Sequence, residues 1–338
     1  MSNMLKEALS SPDVVAAQLA DNSQLAALAE KLARRPPHVA LTVARGSSDH
    51  AASYFASLAM SRLGVPVASL PMSIATLQQA RLQVNGELAL AFSQSGRSPD
   101  LVGTMDALRG AGALTVSLVN APDSPLAAAC EWNLPLHAGP ELSVAATKSY
   151  IAMLSLSAQL VALWQGDEAL SHALDQLPQA LHLAGQLDWS PAIEQLRDVK
   201  RMLVIGRGAG LAIAQEAALK LKETSGIQAE AFSSAEVQHG PMELIDRDYP
   251  LLVFAPRGPE QAGLIQFASA MRERGARVLL AAPANIEHAT LPLSCTADPA
   301  LDPIAAILSF YVMAAYLAVA RARNPDTPLH LSKITETH

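Results

Sequence analysis

Short runs of almost unbroken apolar residues punctuate the chain, each followed by a longer stretch in which apolar positions recur with a helical period. The runs are HVALTVA (38–44), ELALAFS (87–93), ALTVSLV (113–119) and WNLPLHA (132–138), then RMLVIG (201–206), PLLVFAP (250–256), RVLLAA (277–282) and TLPLSC (290–295). Strands without polar alternation are buried on both faces, and strands separated by helices pair in parallel. The pattern therefore predicts a doubly wound α/β architecture, with four strands in each half.

The halves are copies. VARGSS at Val43 matches IGRGAG at Ile205, and Gly46, Gly64 and Gly96 fall on Gly208, Gly226 and Gly258 at one displacement of 162 residues. Further on, AATKSYIAM at Ala145 faces AAILSFYVM at Ala305 at a displacement of 160, as small loop changes allow. Two tandem parallel-sheet domains of flavodoxin-like type, arising by duplication, follow from this repeat. The expected organisation is a helical segment of one or two helices (1–37), a first domain (38–164), a helical linker (165–195) carrying LSHALDQLPQALHLAGQL, a second domain (196–325) and a tail (326–338).

Composition narrows the partners. The net charge of −7 supplies no broad basic face for nucleic acid. Cys130 and Cys295, the only two cysteines, form neither a disulfide framework nor a metal-ligand spacing. The N-terminus lacks an apolar signal core, and FYVMAAYLAVA from Phe310 is read as too short to span a bilayer. A soluble cytoplasmic protein is expected, with neither a membrane nor a nucleic acid as partner.

Candidate chemistry gathers at strand ends. After the run ELALAFS come Ser93, Gln94, Ser95, Gly96 and Ser98, and Ser98-Pro99-Asp100 has the form of a helix start. After the first run comes RGSSDH, with Ser47 and Ser48. One such loop is an ordinary serine-rich turn. Two on neighbouring strand ends favour phosphate binding by hydroxyls and helix amides, without any lysine. The second copy has APRGPE at the equivalent place and instead carries LAIAQEAALKLKETSG, in which Glu216, Lys220 and Glu223 form one helical stripe. That stripe fits a wet cavity or an exposed ion pair equally well. His239, before a Gly-Pro turn, is either structural or a proton carrier, and nothing local distinguishes Lys333 from a solvated lysine.

The segments SQSGRSPD, SVAATKS, EAALKLKETSGIQAEAFSSAEVQHGP and LSKITE resemble the sugar-isomerase (SIS) family, in particular the isomerase halves of glucosamine-6-phosphate synthases. The resemblance covers nearly the whole chain. It implies a homodimer, an aminosugar 6-phosphate as ligand, and phosphate contacts from Ser47, Ser48, Ser93, Gln94, Ser95 and Ser98. It further implies that Glu223 moves a proton between C1 and C2 with Lys220 beside it. His239 would open the sugar ring from the partner subunit, Lys333 would close the site or form an imine, and Val144 and Ala145 would line the sugar through backbone atoms. Arg97 and Ala146 depart from the family pattern, which has an acid and a serine there.

The chain begins MSNM, and it is expected to lack a glutamine-hydrolysing half and so an ammonia source of its own. The expected reaction is therefore deamination, turning glucosamine 6-phosphate and water into fructose 6-phosphate and ammonia, with no metal or redox cofactor. The alternatives are a deglycase for fructose-amino acid 6-phosphates and a non-catalytic sugar-phosphate sensor. A dehydrogenase is set aside, because Leu211 occupies the third-glycine place after Gly206 and Gly208.

Overall fold

The computed structural model describes residues 1–21 and 23–333 of the 338-residue chain. Three helices come first, α1 (Asn3–Leu9), α2 (Ser11–Ala20) and α3 (Ser23–Arg34), against the one or two expected. The first α/β region then runs β1 (Ala40–Val43), α4 (Ser47–Leu58), β2 (Val67–Ser69), α5 (Met72–Thr76), β3 (Leu88–Ser93), α6 (Pro99–Gly110), β4 (Leu114–Val119), α7 (Pro125–Ala129), β5 (Trp132–Pro135) and α8 (Lys148–Gln165). Three helices follow, α9 (Glu168–Asp175), α10 (Leu177–Ala184) and α11 (Ser190–Leu196). The second region runs β6 (Arg201–Gly206), α12 (Ala209–Ser225), β7 (Gln228–Ser233), β8 (Pro250–Phe254), α13 (Gln261–Glu273), β9 (Arg277–Pro283), β10 (Leu291–Leu293) and α14 (Asp302–Ala320).

Each region holds a five-stranded, wholly parallel sheet. The orders are β2-β1-β3-β4-β5 and β7-β6-β8-β9-β10, which are the same order in corresponding strands. Duplication thus extends to topology. The eight apolar runs all become strands, and each sheet gains a fifth that hydropathy did not reveal. β2 is three residues long and mostly exposed, and β7 has a single buried position among its six. Both lie at a sheet edge with one neighbour, so neither needs a continuous apolar run.

Chain contacts divide the molecule into two compact units. One holds Asp13–Glu141, Ser149–Asp175 and the tail from Ser332; the other holds Met1–Pro12, Leu142–Lys148 and Gln176–Leu331. The segment LSHALDQLPQALHLAGQL, expected to be helical, forms two helices parted after Asp175, where Pro178 opens α10 and cannot donate to a preceding turn. The expected tail, 326–338, is described only as far as Lys333; residues 334–338, with most of the LSKITE segment, lie outside the described residues.

The greasiest segment corrects one expectation. Pro299–Ala320 is 22 residues long at a mean hydropathy of 2.0, long and apolar enough to cross a membrane. The apolar run starts at Ile304, upstream of Phe310, because Pro303 opens the helix instead of ending it. Of its most apolar window 78% is buried inside the protein, the mark of a core helix, and α14 packs against α12, α1, α10 and α11.

Candidate active site

In the unit built on the first sheet, β1 and β3 are adjacent parallel strands, so the loops leaving them emerge side by side. Gly46 turns the chain with φ 57° and ψ −134°, and α4 begins at once with Ser47 and Ser48, both half-buried. A positive φ at that ψ is open to glycine and costly for other residues, which places the residue before Ser47 under a backbone requirement. In the second loop Ser93 Oγ accepts the Gly96 N–H at 2.9 Å and Ser95 Oγ accepts the Arg97 N–H at 3.4 Å. Each hydroxyl oxygen is thereby fixed by the backbone, and its O–H is the group that can turn to an anionic oxygen. Ser98 stands at the N-cap of α6, but its hydroxyl makes no capping bond to that helix, contrary to the expectation from Ser-Pro-Asp. Asp100 bonds the Leu101 N–H instead, at 2.9 Å.

An ion pair ties the loops together. Arg45 donates from Nε at 2.9 Å and from Nη2 at 2.5 Å to Asp100 Oδ2, a carboxylate buried in the first turn of α6. Sequence reading did not assign Arg45 a role; its position immediately before Gly46 at a strand end was the available signal. Asp49, one residue beyond Ser48, has its carboxyl raised above the ordinary value by burial, against the opposing influence of His50, Ser69 and Arg45.

The unit built on the second sheet holds the charged stripe, and it is no surface feature. Lys220 is 1% exposed, Glu216 is 0% exposed and the Glu223 side chain is 18% exposed. Lys220 Nζ lies 2.5 Å from Glu223 Oε2 and 3.4 Å from Glu216 Oε1. Burial acts most strongly on this lysine and would lower its pKa, but Glu216 and then Glu223 together outweigh it, so the ammonium is held above the ordinary lysine value. Of the two carboxylates, Glu223 opens on a cleft of about 380 Å³ lined by Thr224, Arg321, Arg323, Asn324 and Thr327. An interior ammonium wedged against a carboxylate that reaches a cleft is an arrangement that can exchange a proton with a bound molecule and stabilise negative charge beside it.

The remaining candidates are scattered. His239 is exposed at the end of a single 3₁₀ turn, Glu236–His239. Val144 donates its N–H to the Asp326 carbonyl at 3.0 Å, so any backbone contact from Val144 to a ligand runs through its own carbonyl; Ala145 is buried. Lys333 lies 3.4 Å from Glu141 Oε2, a buried carboxylate that also accepts the Ser149 Oγ–H at 2.7 Å. Glu141, which precedes the SVAATKS segment, went unnoticed in the sequence, and so did Tyr311, whose hydroxyl donates to Glu216 at 2.9 Å.

Comparison with known proteins gives these positions a context. A family model described as the SIS domain matches residues 35–163 and 195–286. The glutamine–fructose-6-phosphate aminotransferase (isomerizing) of Methanothermobacter thermautotrophicus is 31% identical over 342 aligned positions, covering 98% of this chain and 56% of that relative. The chain spans about half the length of the curated relatives it matches. A crystal structure from Silicibacter pomeroyi DSS-3, described as a "putative phosphosugar isomerase", superposes with a TM-score of 0.92 at 38% identity, covering 96% of this chain and 100% of that one. Glucosamine-6-phosphate deaminase from Thermotoga maritima superposes with a TM-score of 0.79 at 22% identity, covering 99% and 100%, a likeness of fold alone.

Proposed function

This chain belongs to the SIS domain family, and from that premise we propose that it is an aminosugar-phosphate deaminase, converting glucosamine 6-phosphate and water to fructose 6-phosphate and ammonia. The observation that carries the reading is the interior Lys220 between two carboxylates, one of which, Glu223, faces a cleft. Phosphosugar-isomerase relatives support the general chemistry; the particular substrate is our inference.

In this reading the hydroxyls of Ser47, Ser48, Ser93, Ser95 and Ser98, the Gln94 amide and the helix amides of α4 and α6 hold the phosphate ester. His239, supplied by the partner subunit of a cytoplasmic homodimer, moves the proton that opens the ring. Glu223 then takes the proton from C2 of the open aldose and returns it at C1, while the Lys220 ammonium stabilises negative charge developing on the oxygen at C1. The product of that transfer is a C2 imine. Water adds to it and expels ammonia, leaving the ketose. Lys333 and the tail close the site, and Val144 and Ala145 line the sugar through their backbone.

A second reading has one observation in its favour. The cleft beside Glu223 is lined by Arg323, a cation suited to the carboxylate of an amino acid carried on the sugar nitrogen. That would make the substrate a fructose-amino acid 6-phosphate and the reaction a deglycation.

Ammonia and amino-acid release should be measured with glucosamine 6-phosphate, galactosamine 6-phosphate, N-acetylglucosamine 6-phosphate and a fructosamine 6-phosphate. Ammonia from the first is the expected result. Amino acid from the last alone would establish deglycation, and silence on all four, with binding retained, would leave a sugar-phosphate sensor. Glu223→Gln is expected to lower turnover by roughly 10²–10⁴ while retaining affinity for fructose 6-phosphate.

A further inference from the structure

The chemistry above uses the front of the charged stripe and leaves its back unexplained. Glu216 is fully buried, one turn behind Lys220, and does not line the cleft. Two carboxylates and one ammonium leave a net negative charge in the interior, which is costly unless hydrogen bonds solvate it. The core helix α14 meets this point with Tyr311, flanked by the buried apolar residues Phe310, Met313 and Ala314. Its ring is 0% exposed and its hydroxyl donates to Glu216 Oε1 at 2.9 Å. A phenylalanine would pack into such a helix without bringing a polar group inside, so the hydroxyl answers to the carboxylate.

We propose that Tyr311 is a positioning residue for the proton-transfer group, a role that rests on the reaction read above: its hydroxyl keeps Glu216 ionised, and Glu216 keeps Lys220 charged and shared between two carboxylates. Sharing matters to Glu223. An ammonium bound to it exclusively would draw its charge away and weaken it as a base; an ammonium also held from behind leaves it able to accept a proton. The direction of the Lys220 pKa agrees, since the charge of Glu216 is the largest single influence that raises it. Other charged groups lie on the elements around the cluster. Lys222 on α12 is exposed, Asp302 at the far end of α14 is bound to Arg257, and Arg201 of β6 and Glu230 of β7 are exposed beside Tyr249. Just beyond α14, Arg321 and Arg323 stand on the Glu223 cleft.

The test uses the full-length protein and the variants Tyr311→Phe, Glu216→Gln and their combination. Carboxyl-region infrared difference spectra at neutral pH should show a new protonated carboxyl in Tyr311→Phe that vanishes in the double variant. This reading needs no turnover, so it stands or falls apart from the proposed reaction. In steady-state assays kcat should fall about tenfold and the basic limb of its pH profile should move about one unit toward lower pH, with KM unchanged. Glu216→Gln should move that limb the same way. No protonated carboxyl in Tyr311→Phe, or an unmoved pH profile with only a lowered unfolding midpoint, would overturn the proposal. A protonated carboxyl in a protein that releases no ammonia would instead refute the reaction and spare Tyr311.

Discussion

Laid over one another at their displacement of 162 residues, the two α/β regions share backbone and divide chemistry. Gly46 and Gly208 turn into α4 and α12 at φ 57°, ψ −134° and φ 55°, ψ −135°. On the helices that follow, Glu216, Lys220 and Glu223 of α12 correspond to Tyr54, Leu58 and Ser61 in the first region, and Tyr54 and Leu58 are as deeply buried as their charged counterparts. At the strand ends the division reverses. Ser95 and Ser98 correspond to Arg257 and Glu260. Arg257 is consumed by a bidentate pair with buried Asp302, at 2.8 Å from both Nε and Nη2. Glu260 lies across Gly208, where a Cβ would come within 2.5 Å of Oε1, whereas nothing stands within 4 Å of the equivalent point on Gly46. The first copy leaves its helix N-terminus open beside hydroxyls; the second covers the same place with a carboxylate. One backbone thus carries hydroxyl-rich strand ends in one half and buried charged groups in the other, because a handful of side chains differ.

Breaking the buried stripe should have the largest effect. Lys220→Ala leaves two interior carboxylates facing each other and is expected to cost about 3–5 kcal/mol in urea unfolding. The sign with pH is fixed by the raised lysine: its contribution is complete below the ordinary lysine pKa and is lost only as pH climbs through the higher folded value. Across neutral pH the wild type should therefore show no change from this group, while the deficit of the variant should shrink on acidification as the stranded carboxylates take up protons. A deficit under 1 kcal/mol would mean that the stripe is effectively solvated.

Next in size is the open cradle. Ser95→Ala combined with Ser98→Ala should weaken fructose 6-phosphate binding by about 10–100-fold, on the scale of two lost bonds to a charged group, with a smaller change in kcat. Calorimetric affinity equal to wild type would show that the second copy, or no serine loop at all, binds the ester.

Asp49→Asn is a smaller probe of the same edge. A carboxyl whose pKa is raised by burial is favoured when protonated, so its charge costs the fold stability once pH passes the ordinary carboxylate value, and the cost is complete above the raised one. The amide should therefore raise the unfolding midpoint at neutral pH and leave it unaltered in acid. A midpoint that rises equally at both pH values would contradict the burial argument. Smallest of all, Glu260→Ser should leave turnover intact and add weak phosphate binding at the second copy, read as a second set of phosphate-sensitive amide resonances near Gly208. Unmoved amides there would show that the carboxylate is not what separates the two cradles.

Much of this was legible in the chain. Apolar runs placed eight strands, most of them buried on both faces, because a strand sandwiched between helix layers tolerates few polar residues. Of the four edge strands, Val67–Ser69 and Gln228–Ser233 escaped, since their positions are mostly exposed or half-exposed and carry no apolar run. Spacing put Glu216, Lys220 and Glu223 on one stripe but left burial open, because i, i+4 and i+7 look alike on a wet face and a dry one. The partners that give the stripe its meaning come from far away in sequence: Tyr311 lies 95 residues from Glu216, and Arg45 lies 55 from Asp100. Nothing in its local sequence set Lys333 apart, for its carboxylate Glu141 is 192 residues distant.

Periodicity, repeated glycines and hydroxyl-rich strand ends determined by themselves that this protein is a duplicated parallel α/β fold, since each reports on backbone geometry or on contacts within one turn. Tertiary structure alone decided which charges are dry, which serine oxygens the backbone already holds, and which helix N-terminus is covered by its own glutamate. Those outcomes depend on the dielectric around a group and on partners brought in by folding, and neither is written in the local spacing of residues.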